Sequence, residues 1–284
     1  MSKPHRSSDS IVITNFLRYP GSKRRMLSFL SQYLPSPDVF QGRYIEPFVG
    51  SGAVFFMLNP RRALLSDTNP DLIDLYRGIR QSPQMVWARY CSFGCSKDEY
   101  GRVREDSLSG LLVDRAARVL FLNRTCFKGM WRHNSEGKFN VGYGGQDRRW
   151  VINEDSLIVV ARALRRAQLR CCDFEEVLDT CQADDFIFAD PPYRQGEKEQ
   201  INDHYVGRRF TFEDHRRLAY ALHHAQKQGA QWALTTSAHP AIVGLFKGNN
   251  IIKIPRGTGP RPGITTPKSG EVLITSYRTK EYKQ

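Results

Sequence analysis

Three short apolar runs interrupt an otherwise mixed chain, and each ends in a turn rich in glycine, proline or acid. Arg43-Tyr44-Ile45 leads into Glu46-Pro47-Phe48-Val49-Gly50-Ser51-Gly52, Ala63-Leu64-Leu65-Ser66 into Asp67, and Phe186-Ile187-Phe188-Ala189 into Asp190. Short apolar runs bounded by turn signals predict strands. Helical spacing follows. Leu72, Ile73, Leu75, Tyr76 and Ile79 form one stripe behind Asn69-Pro70-Asp71. There Asn is a good N-cap, Pro suits the first helical position and an acid suits the first turn. A second helix is expected after Thr211-Phe212-Glu213-Asp214, with Thr211 and Asp214 at capping-box spacing and Leu218, Leu222 and Ala225 on its apolar face. Gln231-Trp232-Ala233-Leu234-Thr235-Thr236 and Glu271-Val272-Leu273-Ile274-Thr275 read as later strands.

Strands alternating with helices predict crossover units and a parallel sheet, and in such sheets ligands bind beyond the carboxyl ends of the strands. All three turns fall there. From residue 76 to 166 the pattern is mostly helical, but residues 128–150 mix Gly, Arg, Asn and aromatics without a clean period. They read as an ordered loop or hairpin. The expected organisation is an α/β domain split between residues 11–75 and 167–284, a mainly helical insert over 76–166, and a loose polar tail over 1–10.

Composition adds one departure from the ordinary. Hydrophobic residues at 40% and charged residues at 25% suit a soluble globular protein, and no apolar run reaches membrane-spanning length. The polar N-terminus carries no secretory pattern, so a cytoplasmic setting with reduced thiols is expected for the six cysteines. Their spacing completes no zinc site, and no metal is expected. The exception is charge: 42 Lys plus Arg against 29 Asp plus Glu give +13. That excess favours a polyanionic partner through steering and counterion release.

The turns carry chemistry. Gly50-Ser51-Gly52 after a strand resembles the start of a dinucleotide fingerprint, but its third position is Phe55, which disfavours a nicotinamide cofactor. What remains is a glycine turn that a ligand can approach closely. Asp67, at the next strand end, can accept hydrogen bonds from ribose hydroxyls or cap the following helix. In Asp190-Pro191-Pro192-Tyr193, two prolines stiffen the backbone and donate no N–H. The Asp190 carboxylate and the Pro191 carbonyl can then accept the two hydrogens of an exocyclic amine, while Tyr193 offers a ring for an extruded base.

At these residues the chain resembles the Dam family of DNA adenine-N6 methyltransferases. Phe16-Leu17-Arg18-Tyr19-Pro20-Gly21-Ser22-Lys23 is similar to the family's N-terminal motif, residues 44–52 to its glycine turn, and Asp67-Thr68-Asn69 to its acidic strand end. Residues 124–143 resemble its recognition loop, and Asp173-Phe174 and residues 190–193 its last motifs, all in the family's order. The resemblance implies a Rossmann-like fold that uses S-adenosylmethionine. Tyr19 and Lys23 would contact the methionine end, Glu46, Phe48, Gly50 and Gly52 would belong to the cofactor turn, and Asp67 would hold the ribose. Asp173 and Phe174 would hold the adenine ring, and Asp190 would touch both cofactor and target amine.

Phe127-Lys128-Gly129-Met130-Trp131-Arg132-His133-Asn134 interleaves cations with apolar groups, which suits phosphate contact, base readout and wedging into a base stack. Its apolar members could equally form a small local core. The resemblance implies that Phe127 wedges where the target base leaves, Met130 meets a thymine methyl, and Arg132 and Arg18 each read a guanine. Lys128 stands where relatives often have Asn, which points to phosphate in place of base. The family's common site is GATC. A second basic loop, residues 256–263 with Arg261, reads as phosphate-contacting, and residues 194–209 as a polar loop near the site. The expected partner is double-stranded DNA, handled by a monomer with no membrane association. Methylation of cytosine N4 or of adenine in RNA, or a non-catalytic DNA-binding module, are the alternatives.

Overall fold

A computed structural model of the chain describes residues 16–19, 21–106, 110–134, 136–145, 151–192, 210–255 and 270–279. Seven strands form one sheet: β1 (Tyr44–Glu46), β2 (Ala63–Ser66), β3 (Ala167–Arg170), β4 (Phe186–Ala189), β5 (Gln231–Ser237), β6 (Asn250–Lys253) and β7 (Glu271–Thr275). Their order is β3-β2-β1-β4-β5-β7-β6. Every pairing from β3 to β5 is parallel, and β7 runs antiparallel to both β5 and β6. The expected α/β sheet is therefore present.

The continuous apolar runs reflect burial on both faces, as parallel sheets require. Alternate residues enter different cores. Tyr44, Leu65, Phe186, Phe188 and Leu273 face one apolar cluster, while Ile45, Leu64, Ile187, Trp232 and Ile274 face the other. Ten helices, besides shorter 3-10 turns, occupy the described residues. A 3-10 turn Lys23–Met26 runs into α1 (Leu27–Leu30), and α2 (Ala53–Leu58) follows β1. Then come α3 (Pro70–Gln81), α4 (Pro83–Ser92), α5 (Lys97–Glu105), α6 (Leu112–Thr125) and α7 (Glu154–Leu164). The last three are α8 (Phe174–Leu178), α9 (Phe212–Lys227) and α10 (Pro240–Val243).

Helices α3, α4 and α7 pack around α6, or against one another beside it. Phe121 and Leu122 of α6 and Tyr90 of α4 belong to the same cluster as Leu65 and Phe186 of the sheet, so the helical segment and that sheet face share one core. Helices α8 and α9 cover the opposite face through Phe174, Val177, Leu218 and Leu222.

The predicted helix starts are built as their sequence dictates. Asn69 caps α3, accepting from the Asp71 backbone N–H, with Pro70 at the first position. Thr211 and Asp214 form a reciprocal capping box on α9. At the amino edge of the sheet, Arg43 clamps β1 to β4: its guanidinium meets the buried Asp185 at 2.7 Å and its backbone N–H donates to the same carboxylate at 2.6 Å.

Candidate functional site

The carboxyl ends of β1, β2 and β4 open into a cleft with about 1090 Å³ of empty space, part of it open to solvent. The glycine turn forms one wall. Gly50 has φ +46° and Gly52 φ +65°, left-handed conformations that favour glycine. A Cβ on Gly50 would sit 3.4 Å from the Tyr19 ring. The turn is held from both sides: the Gly50 N–H donates to Asp67 Oδ2 at 3.0 Å, and the Tyr76 hydroxyl donates to the Gly50 carbonyl at 2.6 Å. Asp67 Oδ1 accepts from the Asn69 N–H at 3.0 Å. Asp67 thus locks the turn, and the cap of α3 falls to Asn69. Gly52 does not line the cleft; a Cβ there would meet the Phe56 ring at 2.8 Å, so its glycine serves the packing of α2.

Asp190 projects from the end of β4. Its Oδ1 accepts from the Thr235 hydroxyl at 2.7 Å and pairs with Lys23 Nζ at 2.8 Å. The Lys23 ammonium is nearly buried and also donates to the Gly21 carbonyl at 3.2 Å. Pro191 is buried and Pro192 lines the cleft. Tyr193 lies outside the described residues, as do the loop over 194–209 and Arg261.

Glu46, Asp67 and Asp190 share one end of this cleft. Burial pushes the Glu46 carboxyl well above the usual range; its hydrogen bond from Tyr44, at 2.8 Å, opposes this, and the charges of Asp190 and Asp67 add to it. Burial likewise pushes Asp67 up to about 6, although part of the residue faces the open cleft. Against the three stand Lys23 and, at the far end, Arg217. An acidic cleft of this kind suits a ligand with positive charge, and the Gly50 turn supplies close backbone approach.

The far end is aromatic. Phe48, Phe174 and Phe210 line it, with ring centroids 5.4 Å apart for Phe48–Phe174 and 5.9 Å for Phe174–Phe210. Asp173 caps α8, its Oδ1 accepting from the Glu175 N–H at 3.0 Å, and pairs with Arg217 at 3.0 Å. Sequence reasoning found Phe48, Asp173 and Phe174 but missed Phe210, Arg217 and Thr235. Phe210, immediately before the Thr211 capping box, was the most findable. Thr235 and Arg217 reach partners more than forty positions away, which no local pattern reveals.

The second surface surrounds the end of α6. Phe127 is exposed, Met130 is partly buried, and Trp131 is core, its ring 4.6 Å from that of Phe139. Two isolated bridges, Cys126–Tyr143 and His133–Phe139, give the segment its expected hairpin character. Lys128 adopts φ +54°, a left-handed conformation that Asn tolerates better than Lys. Arg132 Nε donates to Asn140 Oδ1 at 2.9 Å. Asn134 Oδ1 is committed to the hairpin turn, accepting from the N–H groups of Glu136 and Lys138. His133 Nε2 meets Asp71, at the start of α3, at 2.9 Å.

Arg18 is fastened to this surface. Its backbone N–H donates to Asn123 Oδ1 at 3.0 Å, and its carbonyl accepts from Asn123 Nδ2 at 2.6 Å. A Cβ at Gly129 would lie 2.5 Å from the Arg18 Cβ, so only glycine lets the two segments touch. Tyr19 and Lys23, a few residues on, line the cleft. One strand of chain therefore joins the basic surface to the acidic pocket.

A mainly parallel seven-stranded sheet whose glycine turn and acidic strand ends meet in one cleft has the fold of the S-adenosylmethionine-dependent methyltransferases. Residues 19–256 match the family model described as D12 class N6 adenine-specific DNA methyltransferase, and the chain belongs to that family of enzymes. It is 33% identical over 260 residues to the type II methyltransferase M.MjaIII of Methanocaldococcus jannaschii, covering 84% of this chain and 90% of that one. It is 30% identical over 268 residues to a DNA adenine methylase of Vibrio cholerae, covering 91% and 94%. The DNA N-6-adenine-methyltransferase of Escherichia phage P1 is 34% identical over 238 residues, which span 82% of this chain and 31% of the phage protein. Among the described residues no helix is long and apolar enough to cross a membrane.

Proposed function

We propose that the chain takes S-adenosylmethionine as its methyl donor and methylates adenine N6 within GATC or a related short site in double-stranded DNA. The observation that supports this most is the placement of Asp190. Its carboxylate is fixed by Thr235 and Lys23 at the mouth of β4, in the same cleft as Asp67 and Asp173.

The donor supplies an electrophilic methyl group carried on a sulfonium cation. Residues for each of its parts are present. Asp67 has the acceptor chemistry for ribose hydroxyls, Asp173 with Phe48, Phe174 and Phe210 offers an acceptor beside aromatic faces for a purine, and Glu46 and Lys23 offer charges of both signs for an amino-acid end. Asp190 accepts one hydrogen of the target amine and the Pro191 carbonyl the other, which turns the nitrogen lone pair toward the methyl group. Tyr193 stacks on the extruded base. Catalysis then consists of positioning and electrostatics, with no covalent enzyme intermediate.

Residues 76–166 carry target recognition in this reading. The exposed Phe127 wedges into the stack, Met130 meets a thymine methyl, Arg132 and Arg18 read guanines, and Lys128 and Arg261 contact phosphate. A monomer is the proposed working form. The test is modification-detecting sequencing of DNA from cells expressing the protein. N6-methyladenine confined to GATC is the expected result. N4-methylcytosine would overturn the adenine assignment, and methyladenine in an unrelated motif would overturn the GATC assignment alone.

A further inference from the structure

Arg217 contacts more of the cleft's far end than any pattern in the sequence foreshadows. It sits in the second turn of α9, and its single guanidinium reaches carboxylates on two helices. Nη2 lies 3.0 Å from Asp173 Oδ1 and 2.5 Å from Glu175 Oε2, Nε donates to Glu175 Oε1 at 3.1 Å, and Nη1 lies 2.9 Å from Asp214 Oδ1. The guanidinium carbon is 4.9 Å from the centre of the Phe174 ring, within cation–π range.

Helix capping does not explain this arrangement. The start of α8 is already satisfied by the Asp173–Glu176 capping box, and the start of α9 by Thr211 and Asp214. Partly exposed ion pairs contribute little to stability. What Arg217 adds is geometry within the cleft that it lines. It occupies Asp173 Oδ1, in a side chain that also accepts from backbone N–H groups at the start of α8, is 40% exposed and borders the same cleft. The same guanidinium braces the Phe174 ring beside it. One rigid fork thus fixes both the acceptor and the aromatic face.

We infer that Arg217 is a positioning residue that sets the nucleobase specificity of the cleft, holding Asp173 so that it accepts from a 6-amino purine and repels a 6-oxo purine. This rests on the reading that the donor's adenine lies against Asp173 and Phe174. A carboxylate only accepts hydrogen bonds. The exocyclic amine of adenine donates to it, whereas the carbonyl of hypoxanthine places lone pair against lone pair. Without Arg217 the carboxylate keeps only its backbone anchors at the start of α8, can shift about them to relieve the repulsion, and the preference weakens.

The test uses the full-length protein, without DNA, and calorimetric titration with S-adenosyl-L-homocysteine and S-inosyl-L-homocysteine. The wild-type chain is expected to prefer the adenosyl compound by about 100-fold, since a site built to pair with a donor rejects an analogue that leaves it opposed. Asp173→Asn is the reference variant and should collapse that ratio toward unity, because an amide can present either face. Arg217→Ala should lower it to about tenfold or less, and Arg217→Lys, with charge but no fork, should fall between. Both ligands report on the same folded molecules, so a partial loss of stability leaves the ratio unchanged; if Arg217→Ala does not fold, Arg217→Lys decides. A collapsed ratio in Asp173→Asn with an intact ratio in the Arg217 variants overturns the role of Arg217 and leaves the adenine site standing. Equal weakening of both ligands in the Arg217 variants also overturns it, as a purely structural clamp. A ratio near unity in the wild-type chain, or one that Asp173→Asn does not alter, overturns the adenine site itself.

Discussion

The two edges of the sheet treat charge in opposite ways. At the amino edge, Arg43 and Asp185 neutralise one another, and the remaining groups are paired too: Arg43 Nη2 donates to the Thr180 carbonyl at 2.6 Å, and the Gln182 N–H donates to Asp185 at 3.0 Å. The backbone there is so close that a Cβ on Gly42 would lie 2.4 Å from the Asp184 carbonyl. At the carboxyl edge, Glu46, Asp67 and Asp190 crowd one end of the cleft, and burial holds Glu46 and Asp67 above their ordinary range. Like charges gathered in a partly desolvated place oppose folding. Their retention marks the edge where chemistry takes precedence over stability.

Substitutions at the two edges should separate these roles. The largest effect is expected for Asp190→Ala, which should lower methyl transfer by about 10³-fold or more while leaving DNA binding intact, measured by radiolabel transfer and by DNA retardation. Full transfer by this variant would remove the difference between the edges. Arg43→Ala should do the reverse. It strands the buried Asp185 and should cost about 3 kcal/mol, seen as a Tm lower by several degrees, while the folded fraction keeps its transfer rate. A variant equally stable but inactive would place function at the wrong edge.

A smaller effect sharpens the contrast further. The Asp67 carboxyl ionises near 3.8 when unfolded and about 6 when folded, so the folded protein holds that proton more tightly. The stability owed to this group is therefore full below pH 3.8, declines as pH rises toward 6, and is gone above it. Ribose binding needs the ionised form, so donor affinity should move the other way, falling by up to tenfold per pH unit as pH drops below about 6. Calorimetry and thermal unfolding across pH 5–8 should show opposed slopes that Asp67→Asn flattens. Parallel slopes would remove Asp67 from the ribose site.

The legibility of each element followed its surroundings. Strands β1, β2 and β4 are buried on both faces, so they read as unbroken apolar runs, and β5 and β7 were found the same way. Strands β3 and β6 lie at the two sheet edges and span only four residues each, Ala167-Gln168-Leu169-Arg170 alternating buried with exposed positions and Asn250-Ile251-Ile252-Lys253 partly buried with exposed ones. Their signal is too short to stand out, and neither was found. The cleft behaved similarly. Gly50, Asp67 and Asp190 announce themselves because each lies in the turn that follows a strand. That Asp67 fastens Gly50, that Lys23 pairs with Asp190, and that Arg217 grips Asp173 are facts of tertiary approach, with partners 17 to 167 positions apart.

The fastening of Arg18 has a practical consequence for altering this enzyme. Residues 127–140 look like a cassette that could be exchanged for another to redirect the protein. They are not separable. Asn123 holds both backbone groups of Arg18, and residue 129 must be glycine for that segment to fit. A transplanted hairpin would have to bring its own helix end and its own counterpart to residues 16–19, and those residues continue directly into the wall of the cleft. Inheritance faces the same constraint as engineering: the hairpin, the end of α6 and the chain before Lys23 must change together or not at all.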